Sequence, residues 1–135
     1  MTSTISYLGD LRTEATHIRS GEKIITDAPV DNKGKGEAFS PTDLLATSLG
    51  VCMITVMGIA ARERNINMDG TTCSITKVMA ADPRRVSEIH AEISFPYAFN
   101  EKERAVLEHT AKTCPVFYSL HPDIKKIISF KYQDE

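Results

Sequence analysis

Ser40-Pro41-Thr42-Asp43-Leu44-Leu45-Ala46-Thr47-Ser48-Leu49-Gly50-Val51-Cys52 opens a segment that carries no charged residue from Leu44 to Ala61. Its first four residues are a helix start. Serine can cap the first backbone N–H groups, proline suits the first helical position, and an acid three residues after the cap can reach back to close a capping box. Asn67-Met68-Asp69-Gly70 supplies the stop, so a helix is expected from Pro41 to about Arg64 or Asn65. At 1.5 Å per residue it is about 35 Å long, enough to cross a small domain. The uncharged run reaches the lower length limit of a membrane span. Thr47, Ser48, Gly50, Thr55 and Gly58 dilute its leucine and isoleucine, however, and Asp43 and Arg62 close its ends. A helix apolar on every side is otherwise the centre of a protein, and that is the expectation here.

Upstream, short strands are predicted at Thr4–Leu8, Arg12–Ile18 and Lys23–Thr26, punctuated by Gly9-Asp10 and Ser20-Gly21. Asp31 to Gly36 reads as a polar, glycine-bearing loop. Downstream, Cys73–Met79 and Val86–Phe95 read as a longer pair of strands. The second places Ile89, Ala91, Ile93 and Phe95 on one face. Asn100-Glu101-Lys102-Glu103 is a second capping box, opening a helix that turns Val106, Leu107, Ala111 and Cys114 inward. Pro115 starts a short helix through Leu120, and Ile124–Tyr132 closes as a strand. The order β-β-β-α-β-β-α-α-β is α+β with six strands. So few other helices cannot cover the long one, which is expected to pack between sheets from two chains.

The whole chain has 135 residues, the size of one domain spanning 1–135, able to bury a core with neither metal nor disulfides. Lys plus Arg number 16 and Asp plus Glu 18, a formal charge of −2, which argues against nucleic acid and against an electrostatic membrane anchor as partners. Apolar residues at 41% and charged residues at 25% are ordinary for a globular protein. Met1-Thr2-Ser3-Thr4 shows no secretory pattern, so a cytoplasmic location with reduced thiols is expected.

Three cysteines, Cys52, Cys73 and Cys114, are odd in number, widely spaced and free of any C-x-x-C pair. The histidines His17, His90, His109 and His121 form no ligand spacing, so no metal is expected. No dinucleotide, P-loop or nucleophile-elbow motif is present either, so no cofactor is expected. Cys114 has a local device for thiolate formation: the helix beginning at Pro115 points unpaired N–H groups and its positive dipole end at the sulfur. Cys52 lies about three turns inside the long helix, without that help. It needs a cation from elsewhere, and Arg12 and Arg19 on the N-terminal strands are the candidates. On local electrostatics alone Cys114 is the more reactive thiol. A buried packing role is the ordinary alternative for each cysteine.

The segment Ser40 to Cys52 resembles the central-helix motif of the OsmC/Ohr family, the osmotically induced and organic-hydroperoxide-resistance proteins. Cys114-Pro115-Val116, with Ser119-Leu120 after it, resembles that family's second motif. The resemblance implies a thiol peroxidase acting as an intertwined homodimer. Cys52 would be the peroxidatic thiolate that becomes a sulfenic acid, Cys114 would condense with it to a disulfide, and an external dithiol would reduce that disulfide. It also implies an arginine from the first hairpin beside the thiolate, for which Arg12 fits best and Arg19 is second, and a glutamate near the helix start holding that arginine. Here the chain departs from the pattern, since the glutamate position is Thr42, with Asp43 after it and Glu37 before the helix. That departure makes a small OsmC-like branch the best match. It also feeds an alternative, a non-catalytic dimeric binding or redox-sensing protein with an apolar interface pocket.

Overall fold

The computed structural model describes residues 1–134. Its elements are β1 (Ser3–Gly9), β2 (Arg12–His17), β3 (Lys23–Asp27), α1 (Pro41–Glu63), β4 (Thr72–Ala80), β5 (Arg85–Ser94), α2 (Glu101–Ala111), α3 (Pro115–Ser119) and β6 (Lys125–Lys131). The architecture is α+β, with six strands in two three-stranded sheets. Contacts divide the chain into two compact units, Met1–Leu45 and Ala46–Glu135.

The first unit is an antiparallel meander in the order β1-β2-β3. Its first turn needs three consecutive positive φ angles, at Gly9, Asp10 and Leu11. Only Gly9 adopts that region without strain, and Asp tolerates it better than most residues. The register sets Arg12 opposite Asp27 and Thr13 opposite Thr26. Ile5, Tyr7 and Ile24 are more than half exposed. The loop expected after β3 holds one further element, a single 3₁₀ turn at Val30–Asn32.

Helix α1 begins as its sequence requires. Ser40 Oγ accepts the Asp43 N–H at 3.1 Å, and the Asp43 carboxylate accepts the Ser40 N–H at 3.0 Å, completing the capping box. The helix ends with Asn65 at φ 56°. The Ile66 N–H reaches back to the Ala61 carbonyl at 2.8 Å and the Asn65 N–H to the Arg62 carbonyl at 3.3 Å, a Schellman closure.

In the second unit β5 is central, antiparallel to β4 and parallel to β6. A parallel pair needs a crossover, and α2 and α3 provide it. The predicted face of β5 is buried, Ile89 and Ile93 completely, and packs with Leu49, Met53 and Met57 of α1 and Leu107 and Ala111 of α2. Val106 is only half-buried. The burial of α1 is one-sided: Val51 and Ile59 are 62% and 56% exposed on the opposite face. By length and composition α1 could cross a membrane, with 39% of its most apolar window buried here.

Candidate active site

Two of the three cysteines meet in the second unit. Cys52, on α1 between exposed Val51 and fully buried Met53, sits at the margin of the core and is half-buried. Cys114 is completely buried at the N-cap of α3, where its sulfur accepts the Phe117 N–H at 3.3 Å. Cys52 is the neighbour of Cys114, close enough to raise its thiol. All three cysteines are free thiols.

The environment of Cys114 corrects the electrostatic expectation drawn from its position at a helix start. Burial pushes its thiol above the ordinary range. The backbone N–H groups of Phe117 and Val116 pull the other way and lose, and the adjacent Cys52 raises it further. A five-residue helix offers a weak dipole, whereas removing the sulfur from water penalises the anion directly. Of these two thiols Cys52 is the more exposed. Cys73, on β4, is half-buried, and burial raises its thiol as well. Its sulfur lies 3.1 Å from where a Cβ on Gly50 would stand, so glycine at that position is what lets β4 approach the helix carrying Cys52. An apolar recess of about 310 Å³ opens there, lined by Gly50, Val51, Ile54, Cys73 and Ile75.

Arg12 belongs to the first unit. Its Nε and Nη2 donate to the two oxygens of Asp27 at 2.7 and 2.9 Å, and Nη2 approaches Glu37 at 3.5 Å. Asp27 is 1% exposed and accepts the Glu37 N–H at 3.0 Å as well. The Arg12 hydrogen bond, outweighing burial, holds this carboxyl below the usual carboxylate range, and Arg12 is itself raised by the same contact. Arg19 is exposed in the turn after β2. Of the acids considered for holding an arginine, Glu37 contacts Arg12 at its rim and Asp43 is used in the helix cap. Asp27, the principal partner, escaped the sequence reading. The only signal for it was the hairpin register, which places it directly across from Arg12.

Comparison with known proteins agrees with this architecture. The family model described as OsmC-like protein matches residues 34–128, well over half of the chain. A crystal structure from Psychrobacter arcticus 273-4, of a candidate osmotic stress induced and detoxification response protein, is 58% identical. It covers 96% of this chain and 95% of its own, with a TM-score of 0.94. An organic hydroperoxide resistance protein OsmC from Legionella pneumophila superposes at a TM-score of 0.75 with 16% identity, covering 97% of both chains. An OsmC-like protein from Mycoplasma pneumoniae gives 0.80 with 17% identity over 96% of this chain and 94% of its own. At such identities the last two speak for the fold alone. No curated protein sequence matches the chain. With its helix cap, its paired thiols and a family model covering most of its length, the chain belongs to the OsmC-like family.

Proposed function

We propose that the protein reduces organic hydroperoxides with its Cys52–Cys114 pair. The carrying observation is a partly buried thiol on α1 lying beside a fully buried one at the start of α3. Cys52, as thiolate, attacks the outer peroxide oxygen. The O–O bond breaks, the alkoxide takes a proton and leaves as an alcohol, and Cys52 becomes a sulfenic acid. The Cys114 sulfur then attacks that of Cys52, a disulfide forms and water departs. An external dithiol restores both thiols by two exchanges and is itself oxidised. No cofactor enters. Because Cys114 is out of solvent and disfavoured as an anion, it waits for the sulfenic acid, and this division of labour follows from burial.

Apolar residues around Cys52 on α1 suit an alkyl chain and favour organic hydroperoxides over hydrogen peroxide. Relatives of the same fold are described as organic hydroperoxide resistance proteins. Arg12 is assigned the role of cation for the thiolate. Val51 and Ile59 on α1 are exposed apolar residues that a second copy would cover, and so, in the other unit, are Ile5, Tyr7 and Ile24, hence a homodimer. A reducing cytoplasm keeps such thiols ready.

The test is stopped-flow consumption of cumene hydroperoxide with dithiothreitol as reductant. Turnover far above that of free cysteine, lost in Cys52→Ser, is expected. Turnover no faster than free cysteine would leave a binding or sensing protein in its place.

A further inference from the structure

We propose that α1 carries a groove for one single-chain zwitterionic amphiphile, an acyl chain whose head group bears an anion and a cation. The groove is independent of the peroxidase reading, since neither Cys52 nor Cys114 lines it. Two cavities form it, both within the second unit. One, of about 490 Å³, lies between the C-terminal half of α1 and the loop from Ile66 to Asp69. The other is the apolar recess of about 310 Å³ between α1 and β4, which reaches Cys73 and Ile75. Ile54 and Thr55 line both, so the two adjoin along one side of the helix. From Thr47 to Arg62 that side is about 22 Å long at the helical rise. An acyl chain spans half of a bilayer's hydrocarbon core, about 15 Å, which leaves room at one end for a head group.

The two ends differ in chemistry. The recess at Cys73 is apolar, whereas Arg62, Asn67 and Asp69 all line the cavity at the other end. Among the described residues the Arg62 guanidinium and the Asp69 carboxylate have no hydrogen-bond or ion-pair partner, and they do not pair with each other. Arg12, Arg64, Arg85 and Arg104, by contrast, are all hydrogen-bonded. Opposite charges left unbridged on one cavity match a ligand that brings both signs, a phosphate or carboxylate for Arg62 and an ammonium for Asp69. Gly58 lies between the ends. A Cβ there would meet nothing within 4 Å, so no packing within the chain demands glycine at a helical position where it costs stability. Its bare backbone instead leaves the groove open where a tail would lie.

The experiment is isothermal titration calorimetry of the full chain with dodecylphosphocholine below its micellar concentration. Laurate and dodecyl maltoside run beside it, keeping the tail length but lacking the cation or both charges. One dodecylphosphocholine per chain is expected, bound about tenfold more tightly than either control. Arg62→Gln and Asp69→Asn should each weaken it by about tenfold and leave dodecyl maltoside unchanged. A tail shorter by two methylenes should lose about tenfold. Gly58→Leu, which the open space accepts, should block the tail and abolish binding. Bound probe should slow iodoacetamide alkylation of Cys73, read by mass spectrometry, which fixes the place. Equal affinity for the three probes, charge variants that bind like wild type, or an unprotected Cys73 overturns the proposal. So does dissociation of a wild-type dimer by the probe, seen by light scattering, which would make a second copy the occupant. Co-sedimentation with phosphatidylcholine vesicles in place of one-to-one binding would assign the face to a membrane surface and overturn it too.

Discussion

Gly50 offers the sharpest test of how the thiol-bearing helix is seated. A Cβ placed there would stand 3.0 Å from Ile75 Cδ1, 3.1 Å from Cys73 Sγ and 3.2 Å from Ile75 Cγ1. Ordinary carbon contacts begin at about 3.5 Å, so Gly50→Ala needs three side-chain atoms to move by roughly 0.3–0.5 Å. Ala for Gly within a helix gains about 1 kcal/mol, while forcing a methyl into filled space costs about 1–3 kcal/mol. The balance is a net loss of about 0–2 kcal/mol, where an uncontacted helix glycine would show a gain. Ile75→Val deletes the Cδ1 that makes the closest contact and should by itself cost about 0.5–1.5 kcal/mol. In the double variant the added methyl then has room. Gly50→Ala should therefore cost less in the Ile75→Val background than in wild type, with a coupling energy of about 0.5–1 kcal/mol. Urea denaturation followed by circular dichroism on the four proteins measures it. A stabilisation of about 1 kcal/mol by Gly50→Ala alone, or strict additivity with Ile75→Val, would refute the packing argument.

Other expectations follow from the thiols, the ion pair and the bare helix face. In Cys114→Ser one equivalent of hydroperoxide should leave a trapped sulfenic acid on Cys52, detectable by mass spectrometry. Sulfenic acid on Cys114 in Cys52→Ser, formed at the wild-type rate, would reverse the two roles. Because burial raises the Cys114 thiol in the folded chain, the stability it confers as a neutral group is complete below about pH 8.5 and declines as pH climbs toward the folded value. A Cys114→Ala variant should lack that part of the alkaline decline in a urea titration, and an equal decline in both proteins would count against it. Asp27 carries the opposite sign: its carboxyl is lowered by Arg12, so its contribution is present above the unfolded value near 3.9 and lost as pH falls below it. The stability gap between wild type and Asp27→Asn should be constant from pH 7 to about 5 and narrow at pH 3; a gap that stays the same would contradict the ion-pair assignment. Ile59, 56% exposed on α1, should tolerate Glu as far as the single chain is concerned. On the proposed homodimer, light scattering at micromolar concentration should show a dimer for wild type and a monomer for Ile59→Glu, and an intact dimer in the variant would place the interface elsewhere.

Much of the fold was open to reading because its signals are local. Ser40 and Asp43 cap α1 within one turn, and Asn100 with Glu103 repeats the device at α2; the stop expected from Asn67 to Gly70 comes two residues earlier, where Asn65 takes the left-handed backbone. Alternation from Ile89 to Phe95 marked the buried face of β5, because side chains on a strand alternate whatever the strand pairs with. The two thiols that meet were named as a pair through the likeness of the segments ending at Cys52 and beginning at Cys114, although composition alone makes each an ordinary buried cysteine. Other features depended on residues far apart in the chain. That β6 runs parallel to β5 is written in no turn, since the connection passes through two helices. Asp27 meets Arg12 only through strand register, and Gly50 meets Cys73 and Ile75 only when β4 lies on α1. The ionisation of Cys114 shows the same division. A helix start beside Cys114 is a sequence fact and favours its anion, but desolvation is a property of everything packed around the sulfur, and in the folded chain it is the larger effect.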